Sequence, residues 1–438
     1  MSRPAARWPL AALRAAGYAL CCAVAIGALA GCANKVSERA ARPQQPRVTQ
    51  PATPGPAVAQ GAPRVALLLP LSGNYAALGT SMNRAAEMAL FDVAGKDFTL
   101  MPLDTGGTPE GAQRAAAKAI ADGAQLILGP LFATEVTAIR DQARSAHVNV
   151  VAFSTDASVA GNGVYLMGFL PRQQVERVVN YAISQGIKRF AVLAPESPYG
   201  QAVAADLQQI ASAGGAQVTK SAFYGGGEQD ITKTIRDFAD YDRRHAAALA
   251  LRAPYEGKTD AESKRQMARL KKIDTVGDVD YDAVLIPEGG LRLILVGSLL
   301  PFFDVDPDKV HFLGTGQWDD PTVWREPTLR GSWFAAAPPS ARAKFIGRYK
   351  DAYNETPPRI ATLAYDAVAL AAVLARNQSG PDFTAGALTT PNGFVGLDGI
   401  FRFRNEGLIE RGLAVLEVEP REPKVVSPSP DSFEVPTQ

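Results

Sequence analysis

Short apolar runs without a polar interruption, each followed by a stretch of helical periodicity, constrain the fold of this chain most. Val65-Ala66-Leu67-Leu68-Leu69 is such a run, and residues 81–93 after it place Met82, Ala85 and Ala89 at helical spacing. A strand with one wet face alternates apolar and polar residues, so an unbroken run predicts a strand buried on both faces. The alternation recurs. Phe98-Thr99-Leu100-Met101-Pro102-Leu103 precedes a helix opening at Thr108-Pro109-Glu110. There threonine suits the cap, proline the first helical position, and glutamate the positive end of the helix dipole. Leu126-Ile127-Leu128 precedes a helix from 133 to about 147, and Val148-Asn149-Val150-Val151-Ala152-Phe153 is another buried strand. The class this predicts is α/β, with a doubly wound parallel sheet, helices on both faces and right-handed crossovers.

A second series begins after Pro171. Helices are predicted over 174–185, 199–213, 230 to about 241 and 291–300, and strands over 190–193, 218–224, 283–286 and 311–314. They make a second α/β lobe. Residues 242–280 carry Arg243, Arg244, Lys258, Lys264, Arg265, Arg269, Lys271 and Lys272 among acids and alanines, and read as a solvated, helix-containing insertion. The span 63–420 is long for one core and suited to two. On either side, 34–63 and 420–438 are rich in proline and poor in large apolar residues. Such segments cannot bury a core, and both are expected to be disordered, the first as a tether.

At the N-terminus, Arg3, Arg7 and Arg14 precede an apolar run over 15–30 with no acid before it. A spanning helix needs about 20 apolar residues; this run is shorter and ends in small residues, so 1–31 reads as a signal peptide. Leu29-Ala30-Gly31-Cys32 resembles the lipobox of bacterial lipoproteins. The resemblance implies cleavage before Cys32, lipidation of Cys32 and stable anchoring by several acyl chains. Ala33 in place of an aspartate resembles the signal for sorting to the outer membrane, with the chain facing the periplasm. A tether over 32–62 spans at most roughly 100 Å when fully extended. The cysteines, Cys21, Cys22 and Cys32, all lie in this leader region, so the chain beyond Cys32 has neither disulfide nor thiol chemistry. With 45 basic and 44 acidic side chains the net charge is +1, which gives no global field for nucleic acid.

Several motifs, in order, resemble type I periplasmic binding proteins of the leucine/isoleucine/valine-binding kind. They are Val65-Ala66-Leu67-Leu68-Leu69-Pro70-Leu71-Ser72-Gly73, the helix from Arg84, Ile127-Leu128-Gly129-Pro130-Leu131, Pro198-Tyr199-Gly200, the strand from Asp282 to Pro287, and Tyr365-Asp366-Ala367-Val368. Leu69-Pro70-Leu71-Ser72-Gly73 together with Gly314-Thr315-Gly316-Gln317-Trp318-Asp319-Asp320 is most similar to the lipoprotein activators of penicillin-binding proteins. The resemblance implies a two-lobed fold joined by three hinge crossings, expected near 167–171, 335–339 and 390–394. Lobe 1 is then 63–168 plus 340–390, and lobe 2 is 171–336 plus 394–419. Lobes joined in this way can close on a ligand.

Ligands of doubly wound sheets sit beyond the carboxyl ends of strands, near outward-pointing amides. That nominates Ser72, Asn74, Thr134, Ser154, Thr155, Ser158, Tyr199 and Gln317 as a ligand cleft. By the resemblance, Thr134, Ser154 and Ser158 fall where amino-acid binders hold the carboxylate, and Tyr199 where a ring closes over the ligand. The family's acidic anchor for the ammonium would fall within Gly314-Thr315-Gly316-Gln317, which has no acid. No catalytic set is apparent, since His147, His245 and His311 are scattered. Asp304, Asp306 and Asp308 begin a calcium-loop spacing, but Lys309 stands where the loop needs glycine and Thr315 where it needs glutamate, so no metal is expected. Gly225-Gly226-Gly227 lacks the lysine of a phosphate loop. No cofactor and no enzyme activity are expected. The resemblance implies a lipid-anchored module that activates a penicillin-binding protein, a peptidoglycan synthase, by contact. The alternative is the substrate-binding subunit of an ABC importer, working with an ABC permease on amino acids or related small ligands.

Overall fold

The computed structural model describes residues 62–93, 99–377 and 380–433. The leader, Cys32 and the linker through residue 61 lie outside them. The first lobe begins with β1 (Arg64–Leu69), α1 (Ala76–Val93), β2 (Thr99–Asp104), α2 (Pro109–Ala121), β3 (Leu126–Leu128), α3 (Ala133–Ser145), β4 (Asn149–Ala152) and β5 (Val164–Leu166). Its strands lie in the order β2-β1-β3-β4-β5, every pair parallel. Val65 through Leu69 are all 0% exposed, which is why the run carries no polar residue. Thr108 caps α2 as its position predicts, its hydroxyl accepting from the Gly111 amide at 3.1 Å.

The second lobe contains α4 (Pro171–Ser184), β6 (Arg189–Pro195), α5 (Pro198–Ala213), β7 (Gln217–Tyr224), α6 (Glu228–Phe238), α7 (Tyr241–Arg252), α8 (Ala261–Leu270), β8 (Ala283–Leu285), α9 (Gly290–Phe302), β9 (His311–Gly314), α10 (Pro321–Trp324) and β10 (Trp333–Ala336). The helix expected over 230–241 divides at Asp240, whose backbone is left-handed at φ 48°, and α7 starts the charged insertion. The chain then returns to the first lobe through α11 (Pro339–Tyr353), α12 (Ala361–Ala375) and α13 (Ala385–Leu388). Phe345 and Tyr349 of α11 pack on Ala85 and Met88 of α1, while Leu363, Val368 and Leu370 of α12 enter the core around β1.

The last strands are β11 (Phe394–Gly396), β12 (Gly399–Phe403), β13 (Ile409–Arg411), β14 (Ala414–Glu417) and β15 (Lys424–Ser427). They correct two expectations. Residues 394–411 are not second-lobe: β11, β12 and β13 form a separate antiparallel sheet whose Phe401, Phe403 and Ile409 join the first lobe's core. Phe403 reaches the Tyr165 ring of β5 at 5.6 Å, so burying these aromatic residues holds the segment on the first lobe. The third crossing therefore lies between Arg411 and Ala414 rather than near 390–394.

The second correction concerns 420–438, where β15 pairs antiparallel with β14. The second sheet thus runs β15-β14-β10-β9-β8-β6-β7, antiparallel at its β14 and β15 end and parallel elsewhere. Prolines at 423 and 428 flank β15 without interrupting it, which an edge strand tolerates. Val426 packs against the second-lobe core, and Arg177 donates to the Ser427 hydroxyl at 2.6 Å and the Pro428 carbonyl at 3.0 Å.

The start of α1 lies so close to the loop after β1 that a Cβ at Gly79 would overlap the Pro70 carbonyl. Gly79→Ala is expected to cost about 1–3 kcal/mol through overpacking, read as a lower urea midpoint. An unchanged midpoint would contradict this contact.

Candidate functional site

The lobes face each other across a cavity of ≈ 370 Å³. From the first lobe Thr155, Phe169 and Arg359 line it; from the second come Gln174, Tyr199, Gln317 and Asp319. Of the residues nominated from sequence, Thr155, Tyr199 and Gln317 meet here. Tyr199 is held at the start of α5, its hydroxyl 3.2 Å from that of Thr315, and burial pushes its phenol pKa upward. Ser154 is buried and lines an adjoining hollow of ≈ 320 Å³ with Phe132 and Ile360, its hydroxyl accepting from the Asp156 amide at 3.1 Å.

Ser72, Asn74, Thr134 and Ser158 line neither cavity. Each is exposed, and for three of them local structure explains the placement. The Asp104 carboxylate accepts from the amides of Leu71 (2.8 Å), Ser72 (3.1 Å) and Gly106 (2.8 Å), so the chain fills its own anion site at the ends of β1 and β2. Burial works against the Asp104 charge, yet these bonds and the Ser72 hydroxyl hold its pKa below the ordinary value. At the start of α3, where Thr134 sits, buried Glu135 turns back and accepts from the Phe132 amide at 3.0 Å. Burial raises the Glu135 pKa against the Thr105, Phe132 and Leu131 hydrogen bonds. Ser158 donates from both amide and hydroxyl to Asp156, at 2.9 and 2.7 Å.

Sequence reasoning missed the charges that join the lobes. Asp319, in the turn after β9, has a side chain only 1% exposed and pairs with two first-lobe arginines. Arg342 binds it with two nitrogens, one at 2.6 Å to Oδ1 and the other to Oδ2, and Arg359 donates from Nε at 3.2 Å. Arg359 also reaches Asp398 at 2.9 Å. Burial opposes the Arg359 charge, but Asp398 and Asp319 outweigh it and raise its pKa. An acid thus does stand at the cleft, two positions beyond the motif searched for it. Its arginines are 23 and 40 residues away, and no local spacing announces them.

Behind this pair, the Phe169 ring of the first crossing meets two cations, the Arg359 guanidinium at 4.4 Å and that of Arg411 at 4.9 Å. Arg411 donates to the Met167 carbonyl at 2.7 Å, and its amide donates to Gln173 at 3.2 Å. Asp398 accepts from the Thr362 hydroxyl at 2.6 Å, and Asp366 accepts from the Leu397 amide at 2.7 Å. Gln174, at the start of α4, accepts from the Gly316 amide at 2.7 Å and ties the crossing to the β9 loop. Polar groups that would otherwise meet a zwitterionic ligand are joined to one another here.

Residues 63–244 match the family described as periplasmic binding protein. An uncharacterized protein of Rickettsia prowazekii is 24% identical over 176 residues, 40% of this chain and 47% of that one. The penicillin-binding protein activator LpoA of Photobacterium profundum is 30% identical over 141 residues, 31% of this chain and 22% of LpoA. The matches therefore span less than half the length of these curated relatives. Among solved structures, a putative branched-chain amino acid ABC transporter protein from Rhodospirillum rubrum superposes with a TM-score of 0.65 at 17% identity, covering 83% of this chain and 100% of that one. A parallel sheet and a mainly parallel one, joined by three crossings, together with these likenesses give the chain the two-lobed fold of periplasmic binding proteins, with similarity over part of its length to the LpoA activators.

Proposed function

We propose that this chain is a lipid-anchored extracytoplasmic module that activates a penicillin-binding protein by contact and does not carry a nutrient. The observation that carries the reading is the Asp319 pair with Arg342 and Arg359: this cleft acid is already neutralised and fastens the lobes, while Asp320, which also lines the cavity, is turned to the Thr322 amide and hydroxyl. Asp104 and Glu135 likewise occupy amides that an anionic ligand would use. Likeness to the LpoA activators supports the partner, and Leu29-Ala30-Gly31-Cys32 supports the anchor, expected at the outer membrane. The lipid-free chain should bind a purified bifunctional penicillin-binding protein of the same organism and raise its rate of glycan polymerisation. If it neither binds nor stimulates, the reading fails.

The importer reading keeps one observation in its favour, the cavity that Thr155, Tyr199 and Gln317 share. A ligand held at 100 times its dissociation constant adds about 2.7 kcal/mol to stability. A melting screen across amino acids and their amides should show no such rise, and a hit would favour transport.

A further inference from the structure

We propose that the groove between α7 and α8 is a docking surface for a protein segment that carries carboxylates beside an apolar side chain. The inference rests on the contact reading for its premise that the partner is a protein, and adds the face and the partner's chemistry.

The groove encloses ≈ 910 Å³, with Leu249, Tyr255 and Met267 offering apolar surface and Lys258, Lys264 and Lys271 offering charge. Leu249 is 48% exposed. Between positions 249 and 273 there are seven lysines or arginines against three acids, in a chain of net charge +1. Nearby cations are paired: Lys233 with Asp237 at 2.7 Å, Arg236 with Asp242 at 2.5 Å, and Lys309 with Asp278 at 2.9 Å. Among the described residues, Lys258, Lys264, Arg265, Arg269, Lys271 and Lys272 have no carboxylate within 4.0 Å.

Like charges gathered on one small element repel one another, and carboxylates brought by a partner would relieve that repulsion. The groove is also pre-formed. Arg252 of α7 donates to the Leu270 carbonyl at 3.2 Å and the Ile273 carbonyl at 2.5 Å, clasping the end of α8, and Asp260 caps the start of α8 through the Ser263 amide at 2.8 Å. A concave surface that offers Leu249, Tyr255 and Met267 beside three lysines, against the one acid Glu256, admits one anchoring side chain flanked by acids. A flat anionic bilayer would meet the exposed lysines without filling the concavity.

The test uses the full chain and its Lys258→Glu, Lys264→Glu, Lys271→Glu triple variant, all exposed positions, with Leu249→Ser as a second variant and the melting midpoint as a check of folding. The probes are a fluorescein-labelled peptide of glutamates around a leucine pair, phosphatidylglycerol vesicles, and the purified penicillin-binding protein. The peptide should bind the wild-type chain, and the triple variant should weaken it by about tenfold or more. Leu249→Ser should weaken it as well, and added salt should do the same. Equal peptide affinity for wild type and triple variant would overturn the groove. So would vesicle binding that exceeds peptide binding and is lost in the triple variant, which would assign the surface to a membrane. A synthase bound equally by both chains overturns the groove and spares the contact reading. A peptide bound as expected with no synthase bound supports the groove and removes the contact reading.

Discussion

Asp319→Ala should lower the unfolding free energy by about 3–5 kcal/mol, because it leaves the buried Arg342 guanidinium without its counter-charge. Arg342 is only 9% exposed at its side chain, so water cannot replace the lost carboxylate. Arg342→Ala should cost a similar amount for the converse reason. The neighbouring Asp320 gives the control: its carboxylate caps α10, accepting from the Thr322 amide and hydroxyl at 2.7 Å each, and Asp320→Ala should cost only about 1 kcal/mol. Urea midpoints of the three variants decide the matter. If Asp319→Ala proves no more harmful than Asp320→Ala, the pair does not hold the lobes.

The contribution of Asp366 to stability should fall as pH climbs from about 4 to about 7. Burial, then the neighbouring Asp398 charge, pushes the Asp366 pKa up to about 7. In that window the folded chain keeps a proton on Asp366 that the unfolded chain has lost, so raising the pH favours unfolding until the folded group also ionises. Asp398 moves the other way: burial opposes its charge, but Arg359 and Arg411 outweigh burial and hold its pKa below the ordinary value. Its contribution is present above the unfolded pKa and is lost only as pH falls below about 4. Asp366→Asn keeps an acceptor for the Leu397 amide and removes the titration, so its chemical-denaturation profile should be flatter between pH 4 and 7. A variant with the wild-type slope would place the effect elsewhere.

The two-lobed α/β fold was legible because burial on both faces of a parallel sheet forces continuous apolar runs, as at 65–69 and 190–193. The third crossing was misplaced for a related reason. Phe394, Phe401 and Phe403 announce a core-facing segment but not which core, and only the Tyr165 ring on β5 decides. The tail hid β15 because two valines between prolines are too short to register as a strand. At the cleft, Thr155, Tyr199 and Gln317 follow from the rule that sites lie beyond strand ends. Ser72 and Thr134 failed it because Asp104 and Glu135, nearby in space, take the amides first. The Asp319 pair was invisible because it is made by chain segments that only the folded lobes bring together.

The most direct test is the distance between the lobes in solution. Spin labels at Arg140→Cys on α3 and Gln208→Cys on α5, with Cys21, Cys22 and Cys32 replaced by serine, report it by double electron–electron resonance. The lobes should give one narrow distribution, unmoved by an amino-acid mixture, and Asp319→Ala should broaden it. A broad distribution that narrows when an amino acid is added would contradict the account, since the lobes would then be waiting for a ligand.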